Sequence, residues 1–159
     1  MTSTAATLAD RFEAANQGFI DYISSLTEAQ WLAPVLIEER SVAALAHHVA
    51  WGYEVEINAF YAIATDTPRT PTSLDSLHAH NADEAQEYAE ADRDEIVALL
   101  RANAAHASTL LRSLTDEQLE KSGVYIEGLR ELTVSAWVER VLLGHISSHR
   151  KSIGEALAG

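Results

Sequence analysis

The 159-residue chain carries 24 acidic against 11 basic residues, a formal charge of −13, and no cysteine. That length suits one domain with a single core, expected to span residues 1–159, and the charge argues against DNA, RNA or anionic membranes as partners, because no basic stripe is available to displace counterions. Without cysteine there is no disulfide, thiolate metal site or thiol nucleophile, which leaves His, Asp and Glu as the strong metal ligands.

The opening MTSTAATLADRF has no basic start followed by an apolar run, and no apolar stretch approaches a membrane span. A cytoplasmic protein is therefore expected. Leu8, Phe12, Ala15, Phe19, Tyr22 and Leu26 recur at alternating spacings of four and three, which predicts an amphipathic helix over about residues 4–26. It ends in Ser25-Leu26-Thr27-Glu28-Ala29-Gln30, a T-x-x-Q capping box for a short following turn. Ser41 is a good N-cap for a second helix carrying Val42, Leu45, Val49, Ile57 and Phe60 to about residue 64, where Pro68 and Pro71 break it. The acidic segment around 74–90 has no apolar stripe and reads as a connector with His78 and His80 exposed. Asp92, with Glu95 three residues on, opens a third helix whose stripe is Ile96, Leu99, Asn103, Ala107, Leu110 and Leu114. Ser113 to Gln118 then repeats the Ser-Leu-Thr-acid-x-Gln signal, so the chain reads as two helix–turn–helix halves. Gly123 to Leu132 is the least helical stretch, an extended loop or short hairpin, and Thr133 caps the last helix, with Val134, Val138, Val141, His145, Ser148 or His149, and Leu157 inward. The expected fold is all-α: an up-and-down-type four-helix bundle with short accessory helices.

His145 and His149 are four residues apart, so on a helix their imidazoles project about 40° apart from adjacent turns, and one divalent cation can be gripped by both. His48, on the apolar stripe of the second helix, can close the set with three neutral nitrogen donors and an open position. The other reading makes these histidines hydrogen-bonded core residues, since a buried imidazole needs partners either way. His47 lies about 100° from His48 and is expected on a rim. His106 is a core histidine or a pocket wall. Glu56, two turns past His48, is the candidate catalytic group, as general base or as an acceptor for an imidazole. Gly52 and Gly144 would serve close helix packing or leave room beside a metal. Trp51, Tyr53 and Trp137 line a cavity or belong to the core. Arg140 and Arg150 flank the histidine pair and could bind an anionic substrate or complement the helix dipole. No phosphate loop, G-x-S-x-G or dinucleotide fingerprint is present.

Ser41-Val-Ala-Ala-Leu-Ala-His-His48, followed about a hundred residues later by His145-Ile-Ser-Ser-His149, with Asn81 after the long connector and Leu114-Thr-Asp-Glu-Gln-Leu119 before the last helix, resembles the DinB-like family of metal-binding four-helix bundles. The resemblance spans nearly the whole chain. It implies a divalent metal, nickel or zinc foremost and otherwise manganese or iron, held by His48, His145 and His149. It also implies a bacterial protein, a homodimer, a small-molecule substrate, and either hydrolysis or transfer of a low-molecular-weight thiol such as mycothiol or bacillithiol. The family includes the N-terminal part of maleylpyruvate isomerase. Arg40 stands here where that pattern often has tryptophan, Gly52 where a bulky or acidic residue is usual, and no second catalytic domain follows, so isomerase activity is not expected. A branch resembling colibactin self-protection proteins supplies the alternative, a non-catalytic small-molecule binding module on the same bundle.

Overall fold

A computed structural model describes residues 4–159; Met1–Ser3, part of the N-terminal stretch inspected for a leader, lie outside the described residues. Helix α1 (Ala5–Ser24) is capped by Thr4, whose hydroxyl accepts from the Thr7 amide. The short α2 (Glu28–Trp31) carries the reciprocal Thr27–Gln30 capping box. Strand β1 (Pro34–Val35) pairs antiparallel with β2 (Arg40–Ser41) around a 3₁₀ turn at Leu36–Glu38. Ser41 then caps α3 (Val42–Ala64) through the Ala44 amide. The second half repeats this order: α5 (Arg93–Arg112), α6 (Asp116–Leu119) with the Thr115–Gln118 box, β3 (Ser122–Gly123) paired with β4 (Leu132–Thr133), and a Thr133-capped last helix. That helix is continuous but not uniform. It runs as α7 (Val134–Trp137), a π-helical stretch at Val138–Leu143, and α8 (Gly144–Ala158).

The four long helices form one bundle. Both α1 and α3 pack against α5 and the last helix, so α1 and α3 face each other across the core. Phe12 meets Tyr53 edge-on at 4.9 Å on that diagonal, and the Tyr53 hydroxyl donates to buried Asn16 Oδ1 at 2.9 Å, satisfying both polar groups in an otherwise apolar interior. Leu8, Phe19, Leu45, Ile57, Leu100, Leu111 and Leu142 are fully buried around them. The hydrophobic stripes thus seat α1 and α3 as expected, the apolar faces being the ones that gain from leaving water, whereas on α5 the buried line is Ile96, Leu100, Ala104, Ala107 and Leu111, with the expected Leu99, Asn103 and Leu110 half-buried beside it. No helix among the described residues is long and apolar enough to cross a membrane.

Three local expectations are corrected. The acidic segment is a helix, α4 (Leu74–Glu87), capped by Ser73; its one buried residue is Glu84, so an apolar stripe could not reveal it. His106 is exposed, on the outer face of α5. In the last helix Val134 and Val138 are buried as expected, with Trp137, but beyond them the buried positions are Leu142, Ile146 and Ile153, while Val141, His145, His149 and Leu157 are half-buried and Ser148 is exposed. The π stretch causes this. It uses the i→i+5 bond from the Gly144 amide to the Glu139 carbonyl, and its wider turn shifts the register of every later side chain.

Candidate metal centre

One ring nitrogen from each of His48, His145 and His149 lies within 4.8 Å of the other two. His48 comes from the second turn of α3, seven residues past its cap, and the pair comes from the start of α8, just after the π stretch. Each imidazole has its Nδ1 against a different carboxylate. His48 Nδ1 is 2.9 Å from Glu84 Oε2, His149 Nδ1 is 3.1 Å from Glu38 Oε1, and His145 Nδ1 is 2.7 Å from Glu56 Oε1, although that ring is turned off the line of a hydrogen bond. Three elements supply these acids: α4, the 3₁₀ turn and α3 itself.

A carboxylate only accepts, so Nδ1 is the protonated nitrogen in the hydrogen-bonded rings and Nε2 is left with its lone pair. Burial disfavours a second proton: it lowers the pKa of His48 against the hydrogen bond to Glu84, and it takes His149 down to about 4, helped by the neighbouring His145. The hydrogen-bonded rings of His48 and His149 are thus left with lone pairs on Nε2. His48 Nε2 and His145 Nε2 are 3.1 Å apart, the distance of an N–H···N hydrogen bond between the rings, and His149 Nε2 is buried with no partner among the described residues. Two nitrogens each 2.0–2.1 Å from a tetrahedral zinc stand about 3.3 Å apart, so a cation also fits this spacing. Gly52 leaves the space: a Cβ there would stand 3.0 Å from His145 Nδ1 and 3.2 Å from Glu56 Oε1. Gly144 has no such role, its added Cβ meeting only a backbone oxygen at 3.6 Å.

Glu84 holds more than one side chain. Its other oxygen, Oε1, is 2.7 Å from His47 Nδ1, and the Arg40 guanidinium donates at 3.4 Å to Oε2, the oxygen that faces His48. Burial would raise its pKa, but the two imidazole hydrogen bonds and their charge hold it down to about 2. His47 is thus buried and stacked on Tyr88 at 3.4 Å rather than lying on an exposed rim. His80 is partly covered and stacks on Trp51 at 4.0 Å, whereas His78 is exposed. The functional residues that sequence reasoning missed are Glu84 and Glu38. Glu38 was visible only as one acid in a loop, and Glu84 as one of many acids, although its place four residues after His80 was a faint signal.

The triad forms one wall of a cleft of about 440 Å³. Trp51, Leu77, Tyr125, Ile126 and Val141 give it an apolar side; Asn81, Arg140 and Ser148 give it polar groups. Tyr53 and Trp137 belong to the core, and Arg150 lies over the Tyr22 ring at 5.0 Å, away from the site.

Two crystal structures share the fold. One, of the mycothiol-dependent maleylpyruvate isomerase, aligns with a TM-score of 0.75 at 14% identity, and the other, of a histidine-to-alanine mutant of that enzyme, with 0.73 at 13%. Each covers 96% of this chain, which spans 61% of theirs. No curated protein matches the sequence. The family model described as the DinB superfamily matches residues 11–153, and with the bundle it identifies this chain as a member of the DinB superfamily.

Proposed function

We propose that the chain is a metal-dependent enzyme acting on a small molecule, with a divalent cation held by Nε2 of His48, His145 and His149, and that its reaction is transfer of a low-molecular-weight thiol or hydrolysis. The observation that supports this is the clustering of one ring nitrogen from each of His48, His145 and His149 within 4.8 Å beside a cleft, with the Nδ1 atoms of His48 and His149 bonded to Glu84 and Glu38. Three neutral nitrogens and an open cleft side are the pattern of a catalytic rather than a closed structural centre. A cation there would supply acidification of a coordinated water or thiol near neutral pH. Because the chain has no cysteine, the thiol would come from the cosubstrate, and mycothiol, named for the structural relatives, and bacillithiol are the candidates to try.

The chain's own groups divide the remaining work. Glu56 lies beside His145, with Oε1 2.7 Å from its Nδ1 and Oε2 buried without a partner, and as a lining residue of the cleft it would take the proton from the attacking water or thiol. Trp51, Leu77 and Ile126 exclude water and hold the apolar part of the substrate.

The test begins with metal. Untagged protein should carry a transition metal by elemental analysis, and zinc or nickel at about 100 times its dissociation constant should add about 2.7 kcal/mol of stability, a thermal shift of several degrees. His48→Ala, His145→Ala and His149→Ala should each remove most of that shift, and His78→Ala should leave it. No bound metal together with no shift would defeat the reading. Metal-dependent consumption of an electrophile with mycothiol or bacillithiol, against metal-dependent cleavage of simple esters, then separates the two reactions.

A further inference from the structure

The charged residues lining the cleft are nearly all committed. Glu38 and Glu56 each face an imidazole, and Arg40 donates to Glu84, behind the cleft lining, and to the Glu38 carbonyl. Arg140 is the exception: it lines the cleft and makes no hydrogen bond or ion pair among the described residues. It sits in the π-helical stretch Val138–Leu143, whose wider turn changes side-chain directions from those of a regular α-helix, and it lines the same cleft as His145. In the same cleft Asn81 Oδ1 is buried with no partner. The Arg140 side chain is exposed, so its guanidinium stands without a counter-charge beside the apolar wall of a cleft whose carboxylates face imidazoles.

We infer that Arg140 is a specificity-determining residue, binding a carboxylate of the substrate while the apolar part of that molecule lies along Trp51, Leu77 and Ile126 and its reacting group reaches the histidine triad. This rests on the proposed metal centre for where the reacting group sits. Arg140 supplies the planar two-pronged donor that a carboxylate fits. The substrate class is then a small, partly apolar monocarboxylate, and amides or alcohols of the same shape are poor ligands.

Benzoate and its neutral isostere benzamide are suitable probes, titrated by calorimetry into zinc-loaded and into chelator-treated protein, with zinc affinity measured separately. Wild type should prefer benzoate by about tenfold or more in both forms. Arg140→Gln should remove that preference with zinc affinity unchanged, and Arg140→Lys should restore part of it. Benzoate binding that Arg140→Gln leaves intact, absence of any preference, or no measurable benzoate binding would overturn the assignment. A preference that persists in protein unable to bind zinc would keep the carboxylate site and reject the metal centre instead.

Discussion

At the scale of single residues, Glu84 has the largest predicted effect. Glu84→Gln leaves one acceptor oxygen for two imidazoles and presents an NH₂ to the other, so zinc affinity should fall about 10- to 100-fold and the metal-free fold should lose about 1–3 kcal/mol, both read by calorimetry and denaturant titration. Gly52→Ala separates fold from site. A better helix former there favours α3 by about 0.8–1 kcal/mol, yet its Cβ would crowd His145 at 3.0 Å, so metal affinity should drop while the metal-free thermal midpoint holds or rises. The pH response follows from His149. Burial holds its folded pKa at about 4, and the unfolded imidazole titrates near 6.5, so the unfolded chain takes up a proton that the native one refuses. Stability of chelator-treated protein should be full above pH 6.5 and fall progressively toward pH 4, and His149→Gln should flatten that part of the profile. The histidines were legible in the sequence because spacing on a helix fixes direction. Their carboxylate partners were not, since Glu38 and Glu84 meet them only through tertiary packing across more than a hundred and about forty residues of chain, respectively.

At the scale of elements, the capping signals were the most readable part of the chain. Ser41, Asp92 and Thr133 start their helices where the sequence places them, and the Thr27 and Thr115 boxes close both ways. Thr27→Ala and Thr115→Ala should therefore each cost about 1 kcal/mol, a shift of about 2–4 °C in thermal midpoint for a domain of this size, with metal affinity untouched. What the sequence hid at this scale was α4 and the π stretch. The first has a polar anchor, Glu84, where a surface helix normally has an apolar stripe. The second leaves the residue pattern apolar and helix-like, and its extra residue shows only as a change in which side chains are buried beyond it.

At the scale of the whole molecule, the two halves run through the same order of elements, and the site lies where they meet. Gly52 stands eleven residues past the Ser41 cap and His145 twelve past the Thr133 cap; allowing one residue for the π stretch, they occupy equivalent positions, and they touch. The repeat was visible in the Ser-Leu-Thr-acid-x-Gln echo, but its contact across the bundle needed the fold. The asymmetry of that contact has a steric consequence. A pair of identical first halves would set glycine against glycine and bring no imidazole from that position, and a pair of identical second halves would force two histidine rings into the space that one now fills. The histidine cluster therefore depends on the two halves being different at this position, glycine in one leaving the room that the imidazole of the other fills.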